Sequence, residues 1–139
     1  MDTPKLTLRV DLGSGRALGP GKVRLLEAIE KTGSISQAGR MLGMSYRRAW
    51  LLVDDMNRCF RIPVVTTQPG GAQGGGAALT VFGQDLIDSY RAIEKQAMAA
   101  VKPQLHDLES ALRNRTRRPE KPLKKTSIRA PAARQQRAR

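Results

Sequence analysis

Residues 45–48 set a serine, a tyrosine and two arginines side by side, the grouping in this chain best suited to hold a polyanion. An arginine guanidinium donates in a fixed fork that matches the two major-groove acceptors of guanine, and such a bidentate contact discriminates by about 1 to 3 kcal/mol. Hydroxyl groups suit phosphate oxygens, which fix register without reading sequence. Arg47 and Arg48 are therefore candidates for base contacts, Ser45 and Tyr46 for phosphate contacts. Other chemistry is poorly supplied. His106 is the sole histidine, and Asp54 and Asp55 adjoin on one helix and diverge by about 100°. No metal-ligand or nucleophile constellation is present, so no enzyme is expected.

A helix-turn-helix over residues 34–58 would position these groups. Ala38 and Gly39 lie on its first helix, residues 43–45 form the turn, and Ser45 N-caps the second helix,. On a 3.6-residue period Ala49, Leu52, Val53, Met56 and Phe60 make one apolar stripe that packs inward. Tyr46, Arg47, Arg48, Leu51, Asp55 and Arg58 point elsewhere, which adds Leu51 to the candidate DNA contacts. The small residues Ala38 and Gly39 allow the two helices to cross closely. Ser36 and Gln37, at the start of the first helix, are candidates for clamping a duplex backbone. An ordinary helical hairpin in a soluble domain is the alternative reading.

The flanking chain supplies a scaffold. Residues 5–12 alternate Leu6, Leu8, Val10 and Leu12 with polar residues, predicting a half-buried strand whose partner comes from later in the chain or from a second subunit,. Residues 13–21 form a glycine-rich turn that lacks the spacing of a nucleotide-binding fingerprint. Pro20 opens a helix with Leu25, Leu26 and Ile29 on its apolar face, and Gly33 caps its end. After the motif, residues 61–68 and 77–83 contain two β-prone segments around Gly70, Gly71, Gly74, Gly75 and Gly76, read as the hairpin of a wing with Gln73 as its contact residue. A glycine linker between domains is the alternative.

Thr80 can cap a long helix from Val81 past Val101. Its Leu86, Tyr90, Ile93, Ala97 and Ala100, continued by Leu105, Leu108 and Leu112, recur at steps of three and four, the seam of a helix that pairs with another. Phe82, Leu86 and Ile87 are expected to pack on the domain's own core. Pro103 should divide the helix into segments 81–101 and 103–113. The expected organisation is a mainly α fold with a small β wing: a winged helix-turn-helix with an N-terminal strand over residues 1–80, a dimerisation helix or kinked helix pair over 81–112, and a disordered basic tail over 113–139.

A net charge of +13 in 139 residues points to a polyanionic partner, but its distribution is uneven,. Residues 113–139 hold eleven Lys or Arg against one Glu, while residues 1–112 hold fourteen against eleven acidic groups. Most of the surplus lies in the tail, so the motif is stronger evidence than the charge. Aromatic content of 4% makes stacking on single-stranded bases a poor expectation,. The lone Cys59 is read as a buried structural thiol that suits a reducing cytoplasm. No secretory signal and no apolar run of ~20 residues is seen, predicting a soluble intracellular protein.

Together, the helix ending in GSISQAG, then GMSYRRAW, DDMN, GGAQGGGAALT and FGQ resemble the N-terminal domain of the ModE-type molybdate-responsive regulators, whose winged helix is similar to that of LysR-type regulators. The resemblance covers roughly residues 5–101. It implies a bacterial homodimer that binds double-stranded DNA and regulates molybdate-transport or molybdenum-enzyme genes, as a repressor in the first instance. It implies dimerisation through the N-terminal strand region and the helix after the wing. Two departures stand out. Where family members carry paired molybdate-binding modules, this chain has only a short basic tail, so no cofactor is expected and molybdate would be sensed through a separate partner. The wing also lacks a basic residue, leaving Gln73 and backbone amides to touch DNA. The competing reading is a winged-helix module that coats DNA nonspecifically or contacts proteins.

Overall fold

The structure, a computed structural model, describes residues 3–68 and 76–113. Two compact units divide it, Leu6–Ala100 and a second made of Met1–Lys5 with Val101–Arg139.

The larger unit opens with an extended segment that becomes β1 (Val10–Gly13) and turns back into β2 (Arg16–Leu18), with Val10 opposite Leu18. The expected strand over residues 5–12 is thus shorter, and its partner is the very next segment, inside what the sequence suggested was only a turn. The alternation at residues 5–10 is nevertheless present as burial, with Leu6, Leu8 and Val10 half-buried between exposed neighbours. Residues 6 and 8 find their backbone partners on a helix instead of a strand: the Tyr90 hydroxyl donates to the Leu8 carbonyl at 2.6 Å, and the Leu6 N–H donates to the Met98 sulfur at 3.2 Å.

Helix α1 (Pro20–Thr32) begins at a proline whose fixed φ and missing N–H cost nothing in the first turn,. It ends at Gly33, which takes φ 72° and donates its N–H to the Ile29 carbonyl, a conformation a β-carbon would strain,. Val23, Leu25, Leu26 and Ile29 are fully buried and form the middle of the core. Truncating either leucine to alanine should cost about 2 to 5 kcal/mol.

Helices α2 (Ile35–Met41) and α3 (Tyr46–Cys59) follow, each capped by a serine. Strands β3 (Val65–Gln68) and β4 (Gly76–Leu79) pair antiparallel from Val65 opposite Leu79 to Gln68 opposite Gly76, the ladder expected of the wing. Five glycines and Gln73 were assigned to that wing; Gln73 and all of them except Gly76 lie outside the described residues.

Helix α4 (Val81–Ala100) starts where predicted, with the Thr80 hydroxyl oxygen accepting from the Gly83 N–H at 2.9 Å. A β-carbon at Gly83 would collide with the Val64 carbonyl oxygen, so glycine lets the helix backbone seat against the base of the wing. Ile87 and Tyr90 are buried in the common core, and Phe82 and Leu86 pack against it. Tyr90, expected on the seam facing a second helix, is instead 0% exposed. Its ring fills the core and its hydroxyl is satisfied by Leu8, which removes the penalty of burying a phenol. Next to it Arg91 grips Glu27 of α1 through two hydrogen bonds of 3.0 and 2.8 Å and reaches Glu94 at 2.6 Å. These carboxylates hold the guanidinium protonated beyond its ordinary range.

In the second unit α5 (Lys102–Ser110) carries Pro103 in its first turn. The break between helices falls at Val101, as the proline predicted. None of its residues is buried. Leu108 and Leu112 line a shallow apolar hollow together with Thr3, Pro4 and Ala111. No helix among the described residues is long and apolar enough to cross a membrane.

Candidate nucleic-acid interface

Three local features set α3 in place. The Ser45 hydroxyl oxygen accepts from the Arg48 N–H at 3.0 Å, so α3 starts cleanly at Tyr46,. Gly43 bends the chain at φ 71°, and the Met44 N–H donates to the Gly39 carbonyl at 3.0 Å. A β-carbon at Gly39 would come within 3.0 Å of the Ala49 β-carbon and 3.5 Å of the Met44 side chain. Small residues at the crossing therefore let α2 and α3 approach, as their sizes predicted.

The inward stripe is as the period required. Ala49, Val53 and Met56 are at most 2% exposed, with Leu52 and Phe60 half-buried beside them and Phe60 edge-on to Phe82. Ser45, Tyr46, Arg47, Arg48 and Leu51 are all exposed, Tyr46 at 62% and Leu51 at 55%. The exposed turn is thus covered by no other part of the described chain. Ser36 and Gln37 differ from each other. Gln37 is exposed with its N–H tied to the capping Ser34 hydroxyl, while Ser36 is half-buried with its own hydroxyl 3.3 Å from that of Ser34. Gln73 is outside the described residues.

Supports not signalled by the motif hold α3 from behind and from its end. Lys22 of α1, largely buried, donates to the Ala17 carbonyl at 2.8 Å and pairs with Asp55 at 2.6 Å, joining the N-terminal hairpin to α3. Asn57 accepts from the Val64 and Val65 N–H groups at 2.7 and 3.2 Å and donates to the Val65 carbonyl at 3.1 Å. That one side chain fastens α3 to the first wing strand. On the other side, the Ala77 N–H of β4 donates to the Gly33 carbonyl at 3.0 Å. The Lys22–Asp55 and Ala77–Gly33 links span 33 and 44 residues, and the Asn57 bonds cross from a helix into a loop and strand, so none follows a helical or strand period. Trp50 was also missed. It is 38% exposed and stands edge-on to Tyr46 with ring centres 6.2 Å apart, and its only signal was an aromatic residue off the apolar stripe.

Charge on α3 is partly self-neutralised. Asp54 pairs with Arg58 at 3.1 Å and Asp55 with Lys22, which leaves Arg47 and Arg48 as the cations of its first turn. The Asp54–Arg58 pair, exposed on both sides, contributes little to stability, about 0 to 1 kcal/mol, but both pairs limit how strongly the aspartates repel a polyanion,. Cys59 at the far end is half-buried, short of the full burial expected of it. No group of three His, Cys, Asp or Glu able to hold a metal occurs among the described residues.

No family model matches the chain. It is similar to the molybdenum-pterin-binding protein MopB of Rhodobacter capsulatus, 52% identical over 81 residues, or 58% of this chain and 30% of that protein. The molybdenum transport protein ModE of Azotobacter vinelandii is 40% identical over 94 residues, 68% of this chain and 35% of its own length. The DNA-binding transcriptional dual regulator ModE of Escherichia coli K12 is 42% identical over 71 residues, 51% of this chain and 27% of its own. The chain spans about a third of the length of the curated relatives it matches. The N-terminal two-thirds of the chain is thus similar in sequence to ModE-type regulators, and its helices and small β pair are those of a winged helix.

Proposed function

We propose that this chain is a transcriptional regulator of molybdate-transport or molybdenum-enzyme genes, a homodimer that sets one α3 helix in the major groove at each half of a near-palindromic operator. The observation that carries the reading is the bare outer face of the first two turns of α3, where Tyr46, Arg47, Arg48 and Leu51 are exposed above a buried stripe. The names of the relatives, a transcriptional dual regulator and a molybdenum transport protein, supply the gene class. Half-sites should lie about 10 bp apart or a multiple of that, as two reading helices in successive grooves require. Exposed Ile93 on α4 provides apolar surface for the second copy. Repression by occlusion of a promoter is the simplest outcome. Arg47 or Arg48 reads guanine, Ser45, Tyr46 and Gln37 hold phosphates, Ser36 supports them, and Gln73 contacts the duplex from the wing. The partners are double-stranded DNA and a separate molybdate-binding protein that delivers the signal.

The test is selection of bound fragments from genomic DNA, followed by titration of the winning duplex and its scramble with Arg47→Ala and Arg48→Ala. One substitution should flatten the preference. Preference intact in both variants would overturn the assignment of these residues, and no enrichment of any fragment would overturn operator binding itself.

A further inference from the structure

Which residues of α3 lie deepest toward a duplex follows from the helix itself. At about 100° per residue, the buried Ala49, Val53 and Met56 define one pole, and Arg47, Leu51 and Arg58 fall within about 30° of the opposite pole,. Arg48 and Trp50 flank that line on either side. Of the three, Arg47 is in the first turn, Leu51 follows about 6 Å along the axis, and Arg58 stands at the far end, paired with Asp54,. Leu51 is the anomaly. It is a branched aliphatic side chain left 55% exposed on the outermost line of the helix, walled by charged groups in a shallow groove of about 370 Å³ that Arg48, Asp54, Asp55 and Arg58 share. It lies outside the core and packs on no buried residue, so burial gives no reason to put a leucine there.

The major groove presents one apolar group, the C5-methyl of thymine, among its hydrogen-bonding edges. The geometry points to Leu51 as a thymine reader: its side chain packs on a thymine methyl one or two base pairs from the guanine contacted by Arg47. The offset follows from 6 Å of helix rise laid against base pairs stacked about 3.4 Å apart. The inference rests on the proposed operator binding and adds to it the base that Leu51 selects and Arg47, rather than Arg48, as the guanine reader. A methyl-sized group buried on complex formation corresponds to about a fourfold change in affinity per half-site.

The experiment uses the full chain and a duplex recovered by selection from a random pool. Each thymine is replaced in turn by deoxyuridine, which deletes only the methyl, and the scan is repeated with Leu51→Ala. At one thymine per half-site the replacement should weaken the parent protein about fourfold and leave the alanine variant unaffected, since alanine is too short to reach the methyl and is a good helix former that preserves α3. Equal responses of the two proteins at every thymine, or no response in either, overturn the role of Leu51 while the operator reading stands. A pool that yields no preferred sequence overturns the operator reading, and the Leu51 assignment falls with it.

Discussion

Replacing Asn57 by alanine removes three hydrogen bonds at once, because its amide accepts from the Val64 and Val65 N–H groups and donates to the Val65 carbonyl. Val64 is 0% and Val65 3% exposed, so water does not easily take the vacated places. At about 1 kcal/mol net for each bond, and more for a buried donor left unpaired, the loss is about 3 kcal/mol. Asn57→Asp keeps both accepted bonds and gives up the donated one, so its loss should be about half as large. Urea unfolding at fixed protein concentration, followed by helical circular dichroism, measures both. With a slope of about 2 kcal/mol per molar urea, the midpoint should fall by about 1.5 M for alanine and by about half that for aspartate. A fall under about 0.3 M for alanine would refute the view that this side chain fastens α3 to the wing. An aspartate variant as weak as alanine would show that repulsion between its second oxygen and the Val65 carbonyl cancels what the accepted bonds contribute.

Three further outcomes are expected. Burial, and then the nearby Glu94 carboxylate, raise the Tyr90 phenol above its usual 10, so the unfolded chain gives up this proton first. Tyr90's contribution is constant below pH 10 and declines as pH rises through the higher folded value; comparing urea midpoints at pH 9 and 11 should show a steeper fall in the parent than in Tyr90→Phe. At the α2–α3 crossing, Gly39→Val should cost about 1 to 3 kcal/mol by overpacking against Ala49 and weaken operator binding,. Gly39→Ala should be far milder, because a gain in helix propensity of about 1 kcal/mol offsets one tight contact; thermal melts of both variants check the order. Deleting the residues after Leu112 should weaken binding to all duplexes alike and reduce the salt dependence of affinity, and an unchanged slope in a salt titration would show the basic residues to be idle,.

What the sequence made legible was what it encodes locally. Pro20, Gly33, Ser45 and Thr80 announce helix ends because a cap acts on atoms three or four residues away,. The stripe from Ala49 to Met56 was readable because one face of one helix carries it. The residues 5–12 were overextended because period-two burial fits any extended segment with one covered side, and here the cover is α4 rather than a ladder. β2 was hidden because three residues between glycines carry no period. Tyr90 satisfied a seam spacing and a core spacing equally, and only the Leu8 carbonyl, 82 residues away, decides between them. Arg47 could not be ranked above Arg48 until the buried pole of α3 was known.

The bond from Ala77 to Gly33 has a practical consequence for anyone altering this protein. The returning wing strand hangs from the same joint that launches α2, and its partner strand is fastened to the end of α3 by Asn57. Both roots of the wing are thereby anchored to the ends of α1 and α3, so the direction in which β3 and β4 point is inherited from those helices, and a substitution at Asn57 should re-aim the strands as well as loosen α3.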